Sequence, residues 1–440
     1  MPTPGEVQIE AELPAPTRSW SFRNAYAGVL GMAERVGGFR ATGTAGQDAL
    51  VKKSAAGEFR SELDANWITY TVKLSEPRTT DVPYVSWLAE DRGFLMLADL
   101  IPQDIETLSA EFKLPTGWTI ESSIVSDSNG RYTIFEPQKA VFLAGRSLRK
   151  TSNTLDGMAL DVVLSGKWPF KEAEALTVAS TVLQKYLDVT GFKLTDKAAI
   201  MIAPSPTPIG DGNIGWKAET RGSTVVLLAN PQKFDFWRNR LRIVFSHELL
   251  HLWVPNSLKL EGDYDWFFEG FTMYTALRTV RELGGIDFEE MLNTLGRVYD
   301  VYLSHPDEQS LIEASETRWT NPQSQVFIKG MLVAFLYDLK IRKESGVKLT
   351  LDDRYRELFS RRTAANANGN EAIIAVLDSA PAMNGFAKSY VESTTKLELE
   401  QVLPAYGLTL DSSGKKSQLR VSRDLNAEQQ QLLRSLGYRN

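Results

Sequence analysis

The sequence predicts a multidomain α+β protein, in which a β-rich region is followed by a mixed region and then by a mostly helical one. The chain has 440 residues, which is more than one hydrophobic core usually serves. Short segments rich in β-branched and aromatic residues are frequent in the first 155 residues. From residue 234 onward, apolar residues recur at helical spacing. These observations predict separate β and helical parts.

Residues 1–155 are predicted to form an all-β domain with the architecture of a β-sandwich. Turn signals such as Pro115-Thr116-Gly117 and the Asp-Ser-Asn-Gly run at 127–130 separate its candidate strands. Residues 146–156 are polar and lack a hydrophobic period, so the domain boundary is predicted there. The candidate strands are 67–74, 94–100, 118–125, 131–136 and 140–144.

Residues 156–285 are predicted to form the second domain, with both strands and helices. Its candidate strands are 158–164, 198–203 and 223–228, and its candidate helices are 170–187, 234–253 and 265–283. Residues 286–410 are predicted to form a helical domain. Its candidate helices include 288–303 and 325–342. A polar tail at 411–440 contains one short amphipathic stretch, 427–436.

Composition excludes several functional classes. Hydrophobic residues make up 43% of the chain and charged residues 24%, which is typical of soluble globular proteins. A net charge of −6 argues against a nucleic-acid surface, and the absence of long apolar runs argues against a membrane span. The chain has no Cys, which excludes thiolate ligands and Cys nucleophiles. The first 20 residues lack an apolar leader, so the protein is predicted to be cytoplasmic, or periplasmic or secreted if a signal peptide was removed.

The residues His247-Glu248-Leu249-Leu250-His251 form an HExxH motif, which takes two of the three His in the chain. Four residues is about one helical turn, so both imidazoles project from the same face toward one ion. Neutral imidazoles suit zinc, which in catalytic sites takes a third protein ligand and leaves one position open. Glu248 is predicted to act as the general base that takes a proton from the attacking water.

Glu269 is the candidate third ligand, and seventeen residues separate it from His251. It lies in the segment Trp-Phe-Phe-Glu-Gly-Phe-Thr at 266–272. This segment is predicted to begin a helix that Asp265 caps and that ends at 284–285. A carboxylate among four aromatic residues needs a partner, because an unpaired buried charge is costly. A Zn²⁺ ion, one per chain, is predicted to be that partner. The alternative is an exposed Glu favoured by the helix dipole.

These residues resemble the gluzincin zinc aminopeptidases, in which HExxH is followed further along by a Glu. The sequence is most similar to the bacterial glycyl aminopeptidase family, related to alanyl aminopeptidase and leukotriene hydrolase. The resemblance includes the 266–272 segment, His251-Leu252-Trp253, and the segment Phe-Ile-Lys-Gly at 327–330. It implies a thermolysin-like zinc catalytic domain between a β-domain and a helical domain. It also implies a peptide substrate, with cleavage after small N-terminal residues such as Gly or Ala.

Two positions depart from the family pattern. Where the families place a Tyr that hydrogen-bonds the tetrahedral intermediate, this chain has Phe327. Either another donor, such as Tyr299, Tyr302 or a backbone N–H, takes that role, or the enzyme is slow. The families also carry a Glu-containing substrate-binding strand, and the matching Glu219 could pair with the α-amino group of a substrate. The His that follows this Glu in the families is Thr220 here.

Three functions remain open at this point. The first is an aminopeptidase, in which Glu219 binds the free amine. The second is an endopeptidase with the same metal ligands, in which no free amine is needed. The third is a zinc-containing peptide-binding protein with weak turnover, which the replacement of Tyr by Phe327 suggests.

Overall fold

A computed structural model describes residues 5–74, 82–194, 196–207, 216–231, 234–304, 309–321, 325–361, 367–412, 414 and 416–439. His305, the third His of the chain, lies outside these residues. The chain divides into two compact units. The first comprises Met1–Thr177 and Thr195–Phe236, and the second comprises Val178–Leu194 and Trp237–Asn440. The protein is therefore a mixed α/β multidomain protein.

Strands make up most of the regular structure of the first unit. They are β1 (Glu6–Ser21), β2 (Ala25–Tyr26), β3 (Val29–Leu30), β4 (Val36–Gly43), β5 (Asp48–Ala49), β6 (Val51–Ala55), β7 (Glu58–Lys73), β8 (Trp87–Leu88), β9 (Arg92–Met96), β10 (Leu108–Ala110), β11 (Trp118–Ser122), β12 (Tyr132–Ile134), β13 (Val141–Arg146), β14 (Arg149–Leu155), β15 (Met158–Leu164), β16 (Ala198–Pro204), β17 (Trp216–Arg221) and β18 (Thr224–Ala229).

Three larger sheets form from these strands. The first has the order β1-β7-β4-β5, with β6 also paired to β7, and the second has the order β11-β13-β9-β8. One core, which includes Ile68 and Phe142, contains residues of both sheets. The neighbours Val141 and Leu143 belong to a second core together with Val163 of β15. Strand β13 therefore buries both faces, which explains its unbroken apolar sequence.

The third sheet has the order β14-β15-β16-β18-β17. Its central strands β15, β16 and β18 are parallel, and the two edge strands are antiparallel to their neighbours. The almost wholly buried β16 and β18 are continuous apolar runs, as expected for parallel strands covered on both faces. The predicted strands of this region are confirmed to within one residue at each end.

Most of the polar stretch at 146–156, where the domain boundary is predicted, is a strand. Residues 149–155 form β14, which pairs with β15 from Arg149↔Leu164 to Leu155↔Met158. The strand lies at the sheet edge and its side chains are mostly exposed. Backbone hydrogen bonds, rather than apolar burial, therefore hold it in place, and its sequence carries no hydrophobic period.

Helices make up most of the second unit. The chain contains α1 (Glu172–Thr190), α2 (Phe234–Leu250), α3 (Thr272–Glu282), α4 (Phe288–Ser304), α5 (Leu311–Glu316), α6 (Ile328–Glu344), α7 (Leu351–Arg361), α8 (Gly369–Leu377), α9 (Phe386–Tyr390), α10 (Leu399–Val402) and α11 (Ala427–Ser435), with a two-stranded sheet of β19 (Leu408–Asp411) and β20 (Gln418–Val421). Within the described residues, no helix has the length and apolar character needed to span a membrane.

Two predicted elements differ in type from the observed ones over part of their length. The predicted helix at 265–283 is a π-helical segment, Trp266–Phe271, that continues into α3. The predicted strand at 94–100 ends at Met96, where a 3₁₀ turn follows. In both cases the backbone hydrogen bonds follow a pattern other than the predicted one, and the spacing of apolar residues does not distinguish these patterns. The end of the predicted helix is confirmed, since α3 stops at Glu282 and Gly284 has φ +73°.

The π-helical segment packs against α6 through two glycines. A Cβ atom on Gly270 would lie 2.5 Å from the Cα atom of Gly330, and one on Gly330 would lie 3.0 Å from the Cα atom of Gly270. Such distances leave no room for a methyl group on either backbone. Glycine at both positions therefore lets the segment that carries Glu269 approach the start of α6.

Gly270→Ala is expected to destabilise the protein by about 1–3 kcal/mol, because the two backbones must separate to admit the methyl group. Urea unfolding monitored by circular dichroism measures this change. Gly414→Ala is the matched control, since a Cβ atom there would lie 3.8 Å from its nearest neighbour, the Lys416 carbonyl oxygen. Equal stability of the two variants would contradict the packing account.

Candidate metal centre

His247 and His251 lie at the C-terminal end of α2, with the second His in the turn that follows the helix. Both side chains are buried. Their Nε2 atoms are 3.1 Å apart, so the two imidazoles face a common point. The helical spacing of four residues thus brings the two side chains together.

Each imidazole is oriented by a contact of its other nitrogen. His251 Nδ1 lies 2.8 Å from the carbonyl oxygen of Val254, which can only accept a hydrogen bond. His247 Nδ1 lies 3.2 Å from Thr272 Oγ1, whose hydroxyl proton is directed toward the carbonyl oxygens of Phe268 and Glu269 at 2.5 and 2.9 Å. In the neutral rings both Nδ1 atoms therefore carry the proton, and both Nε2 lone pairs are free.

Glu269 places a carboxylate oxygen at the same point. Its Oε2 lies 3.1 Å from His247 Nε2 and 3.4 Å from His251 Nε2. A tetrahedral ion with bonds of about 2.0–2.2 Å requires ligand atoms roughly 3.3–3.6 Å apart, close to these distances. Three lone pairs directed at one point repel one another unless a cation or a proton lies between them. The residues therefore fit a metal ion, and two imidazole nitrogens with one carboxylate oxygen suit zinc.

Glu248 is the second carboxylate at this point. It is buried, and one of its oxygens lies within 4.8 Å of a ligating nitrogen of each His. Glu269 contacts both Nε2 atoms with a single oxygen, at 3.1 and 3.4 Å. Two carboxylates thus lie beside the imidazole pair, and the geometry allows one to bind the ion and the other to serve the reaction.

Arg318, in the turn after α5, contacts the candidate third ligand and was not predicted. Its Nη2 lies 2.7 Å from Glu269 Oε1, and its Nη1 lies 2.5 Å from Asp265 Oδ1. Asp265 was predicted to cap the helix, but its side chain accepts no capping hydrogen bond and pairs with Arg318 instead. The guanidinium therefore contacts Oε1 of Glu269, while Oε2 of the same carboxylate faces the imidazoles.

The charges of this cluster shift the pKa values of its members. Burial raises the pKa of Glu269, but Arg318 and His251 outweigh it and hold that pKa well below its usual range. Burial lowers the pKa of His251, yet the adjacent Glu269 carboxylate raises it to about 9. Glu269 is therefore ionised near neutral pH, as a metal ligand must be.

Aromatic rings surround the Arg318 guanidinium. Its Cζ lies 4.3 Å from the ring centroid of Trp319, 5.0 Å from that of Phe327 and 5.8 Å from that of Phe268. These distances are typical of cation–π contacts. Phe327, which is partly buried, directly precedes α6. Phe327, at the position where the resembled families have a Tyr, thus lies beside a cation that contacts Glu269.

The two tyrosines considered as alternative donors are engaged elsewhere. The hydroxyl of Tyr299 donates to Glu400 Oε2 at 2.7 Å, and the hydroxyl of Tyr302 accepts from the backbone N–H of Leu397 at 3.0 Å. Both hydroxyls are thus directed at the 397–400 segment. These contacts disfavour the suggestion that either hydroxyl replaces the missing one.

Glu219 lies on β17 in the first unit, where its own neighbours hold it. Arg221 Nη2 lies 3.2 and 3.3 Å from its two carboxylate oxygens, and the Tyr26 hydroxyl donates to Oε1 at 2.6 Å. Arg221 also lies over the Tyr26 ring, with Cζ 4.4 Å from the centroid. The carboxylate is therefore ion-paired and oriented, rather than a solvated residue on a strand.

Comparison with known proteins shows the fold that surrounds this cluster. No family model and no curated protein matches the sequence. Among solved structures, an aminopeptidase N family protein from Idiomarina loihiensis has a TM-score of 0.79 and 18% identity, over 93% of this chain and 78% of that one. An M1 zinc metallopeptidase from Deinococcus radiodurans has a TM-score of 0.55 and 14% identity, over 89% of this chain and 88% of that one.

A third similar structure contains a bound peptide. It is a point variant of the Deinococcus radiodurans M1 zinc metallopeptidase in complex with a Tyr-Ser-Ala substrate. Its TM-score is 0.52 and its identity 15%, over 89% of this chain and 88% of that one. The chain therefore has the fold seen in M1 zinc metallopeptidases. At sequence identities of 14–18%, the similarity to these structures shows the fold alone.

Proposed function

We propose that this protein is a zinc-dependent metallopeptidase that binds one Zn²⁺ per chain through His247, His251 and Glu269. The observation that carries the proposal is the convergence of two Nε2 lone pairs and one carboxylate oxygen, 3.1–3.4 Å apart, in a buried position. A likeness of fold to M1 zinc metallopeptidases supports the same function.

Glu269 is proposed as the ligand and Glu248 as the general base. The single Oε2 of Glu269 contacts both imidazoles, while Arg318 occupies its other oxygen. Glu248 lies within 4.8 Å of the ligating nitrogens, a distance at which a water molecule can be held between its carboxylate and the ion. This division gives three protein ligands, the number found in catalytic zinc sites.

Zinc, when bound, supplies a Lewis acid that polarises the scissile carbonyl and lowers the pKa of water toward about 7. Glu248 takes the proton of the attacking water and passes it to the leaving amine. His247 and His251 keep their orientation through Thr272 and the Val254 carbonyl. The burial of all these groups limits the access of bulk water.

The preferred substrate is proposed to be a peptide with a free N-terminus and a small first residue such as Gly or Ala. This finer proposal is supported by the resemblance to glycyl aminopeptidases and by Glu219, which is the candidate for the substrate ammonium group. Tyr26 and Arg221 hold the carboxylate in one orientation. Because Arg221 already balances its charge, endopeptidase activity is the second candidate function.

Glu219→Ala is expected to lower kcat/KM by about tenfold to a hundredfold for peptides with a free α-amino group, since a charge-assisted bond is worth roughly 1.5–3 kcal/mol. N-acetylated peptides should be cleaved at the same rate by both proteins. Steady-state kinetics on matched free and acetylated peptides measures this difference. Glu219→Gln is the control that keeps an acceptor for Tyr26. An equal loss on both substrate types would assign Glu219 a structural role.

The decisive experiment for the proposed function measures zinc content together with hydrolysis of aminoacyl reporters and peptides. One zinc per chain, with activity lost on chelation and restored by zinc, is the expected result. Cleavage of acetylated peptides as fast as free ones would favour the endopeptidase. A zinc-loaded protein that binds peptides without cleaving them would favour the peptide-binding function that Phe327 suggests.

A further inference from the structure

Arg318 is a nearly buried cation at the candidate metal centre, and its side chain is 12% exposed. It holds one oxygen of Glu269 at 2.7 Å while the other oxygen of that carboxylate faces His247 and His251. Only one carboxylate separates the guanidinium from the point at which the ligating atoms converge. A group in this position acts on any charge that develops next to the ion.

The guanidinium has donors beyond those that its carboxylate partners use. It carries five N–H groups, two of them on each Nη atom. Among the described residues, Nη1 pairs with Asp265 and Nη2 with Glu269, each through one carboxylate oxygen. Each Nη atom therefore retains a second N–H for another acceptor. Such N–H groups on a guanidinium form strong, charge-assisted hydrogen bonds.

The orientation of the guanidinium is set before any substrate binds. Asp265 and Glu269 hold its two Nη atoms, and the rings of Trp319 and Phe327 lie 4.3 and 5.0 Å from Cζ. A donor fixed in this way needs no reorganisation as negative charge develops, which is the condition for effective stabilisation of an oxyanion. Phe327 contributes a ring to this arrangement and no hydroxyl.

We propose that Arg318 is a catalytic residue, which donates a hydrogen bond to the carbonyl oxygen of the substrate as that oxygen becomes negative. It thereby supplies the donor that Phe327 lacks. The assignment rests on the proposed peptidase function. The hydroxyls of Tyr299 and Tyr302, which bond to other partners, do not compete with it for this role.

A purely structural role for Arg318 makes different predictions. If the guanidinium only orients Glu269, its loss weakens zinc binding, and each zinc-loaded molecule turns over as before. If it also donates to the oxyanion, zinc-loaded molecules become slow. They also bind tetrahedral analogues less tightly, because such analogues resemble the transition state more than the substrate.

The test compares Arg318→Gln, Phe327→Tyr and the double variant with the wild type, each saturated with zinc and its zinc content measured. Arg318→Gln is expected to lower kcat per bound zinc by about 10²–10³, as loss of an oxyanion donor does, with little change in KM. Calorimetry with a phosphinic pseudo-peptide should show a loss of affinity of the same order. Binding of the product amino acid should change far less.

The double variant tests whether the two positions serve one role. Phe327→Tyr is expected to raise the rate at least about tenfold more in the Arg318→Gln background than in the wild type. Arg354→Gln is the matched control, because Arg354 is a similarly buried arginine, 10% exposed, that pairs with Glu357 at 2.6 Å. It should lose stability while keeping its rate per zinc and its phosphinate affinity.

Three results would overturn the assignment of Arg318. They are an unchanged rate per zinc in Arg318→Gln, an unchanged phosphinate affinity, and equal effects of Phe327→Tyr in the two backgrounds. If Arg318→Gln unfolds, the comparison of Phe327→Tyr in wild-type and Arg318→Lys proteins still tests the assignment. A wild-type protein that binds zinc and hydrolyses no peptide would instead contradict the proposed function, before any variant is compared.

Discussion

Glu248→Gln is expected to bind zinc as tightly as the wild type and to lose nearly all peptidase turnover, by about 10²–10⁴-fold or more. The substitution keeps the size and shape of the side chain but removes its ability to take a proton. The side chains of His251, His247 and Glu269 are expected to stay in place, since the Val254 carbonyl, Thr272 and Arg318 hold them. Zinc content by elemental analysis and kcat on a reporter peptide measure both effects.

Glu282→Gln is the control for the loss of a carboxylate in the second unit. Glu282 pairs with Lys185 at 2.7 Å and lies at the end of α3. Its variant should retain full activity. If Glu248→Gln keeps an activity within about tenfold of the wild type, another group acts as the base. If it loses zinc, Glu248 is a ligand, and the division between the two carboxylates is wrong.

His247→Ala, His251→Ala and Glu269→Ala are each expected to abolish stable zinc binding and activity. Removal of any one leaves two protein ligands, fewer than a catalytic zinc site has. Zinc affinity should fall by more than the roughly 10–100-fold that loss of an outer-shell partner causes. Competition with a chromogenic chelator measures the affinity of each variant.

Thr272→Val provides the matched outer-shell control. It removes the hydroxyl that contacts His247 Nδ1 and keeps the shape of the side chain. A fall in zinc affinity within about 10–100-fold is expected for this variant. Full zinc occupancy in all three alanine variants would contradict the proposed ligand set, even if their activity were lost.

The metal-ligand candidates were accessible from sequence because short-range rules place them. The four-residue spacing of His247 and His251 needs only a helical turn, which α2 and the turn after it provide. Glu269 was found because a carboxylate within an aromatic run requires a partner. Its π-helical register was not foreseen, since apolar spacing does not distinguish i→i+5 from i→i+4 hydrogen bonding.

Arg318 was missed because tertiary packing alone brings it to Glu269. The two residues are 49 positions apart in the sequence, and no motif links them. The one usable signal was electrostatic. Asp265 and Glu269 form an acidic pair four residues apart in an apolar segment, which calls for a cation from another part of the chain. Sequence alone could not show that Arg318 was that cation.

In the third sheet, too, only part of the backbone structure could be predicted from the sequence. Its buried strands β15, β16 and β18 were predicted because burial on both faces requires apolar residues. The sequence of the edge strand β14 resembles a polar linker, because a strand held by backbone hydrogen bonds can have almost any polar sequence.

The proposed ligating atoms come from two separate segments, the end of α2 and the π-helical segment, and this has a thermodynamic consequence. An ion bound by both segments acts as a reversible cross-link that exists only while the second unit is folded. Linkage then makes the stability of that unit depend on the concentration of free zinc, with a gain of about 4 kcal/mol at a thousandfold excess over the dissociation constant. The folded population would thus respond to the zinc supply, and the melting temperature would rise with the logarithm of free zinc.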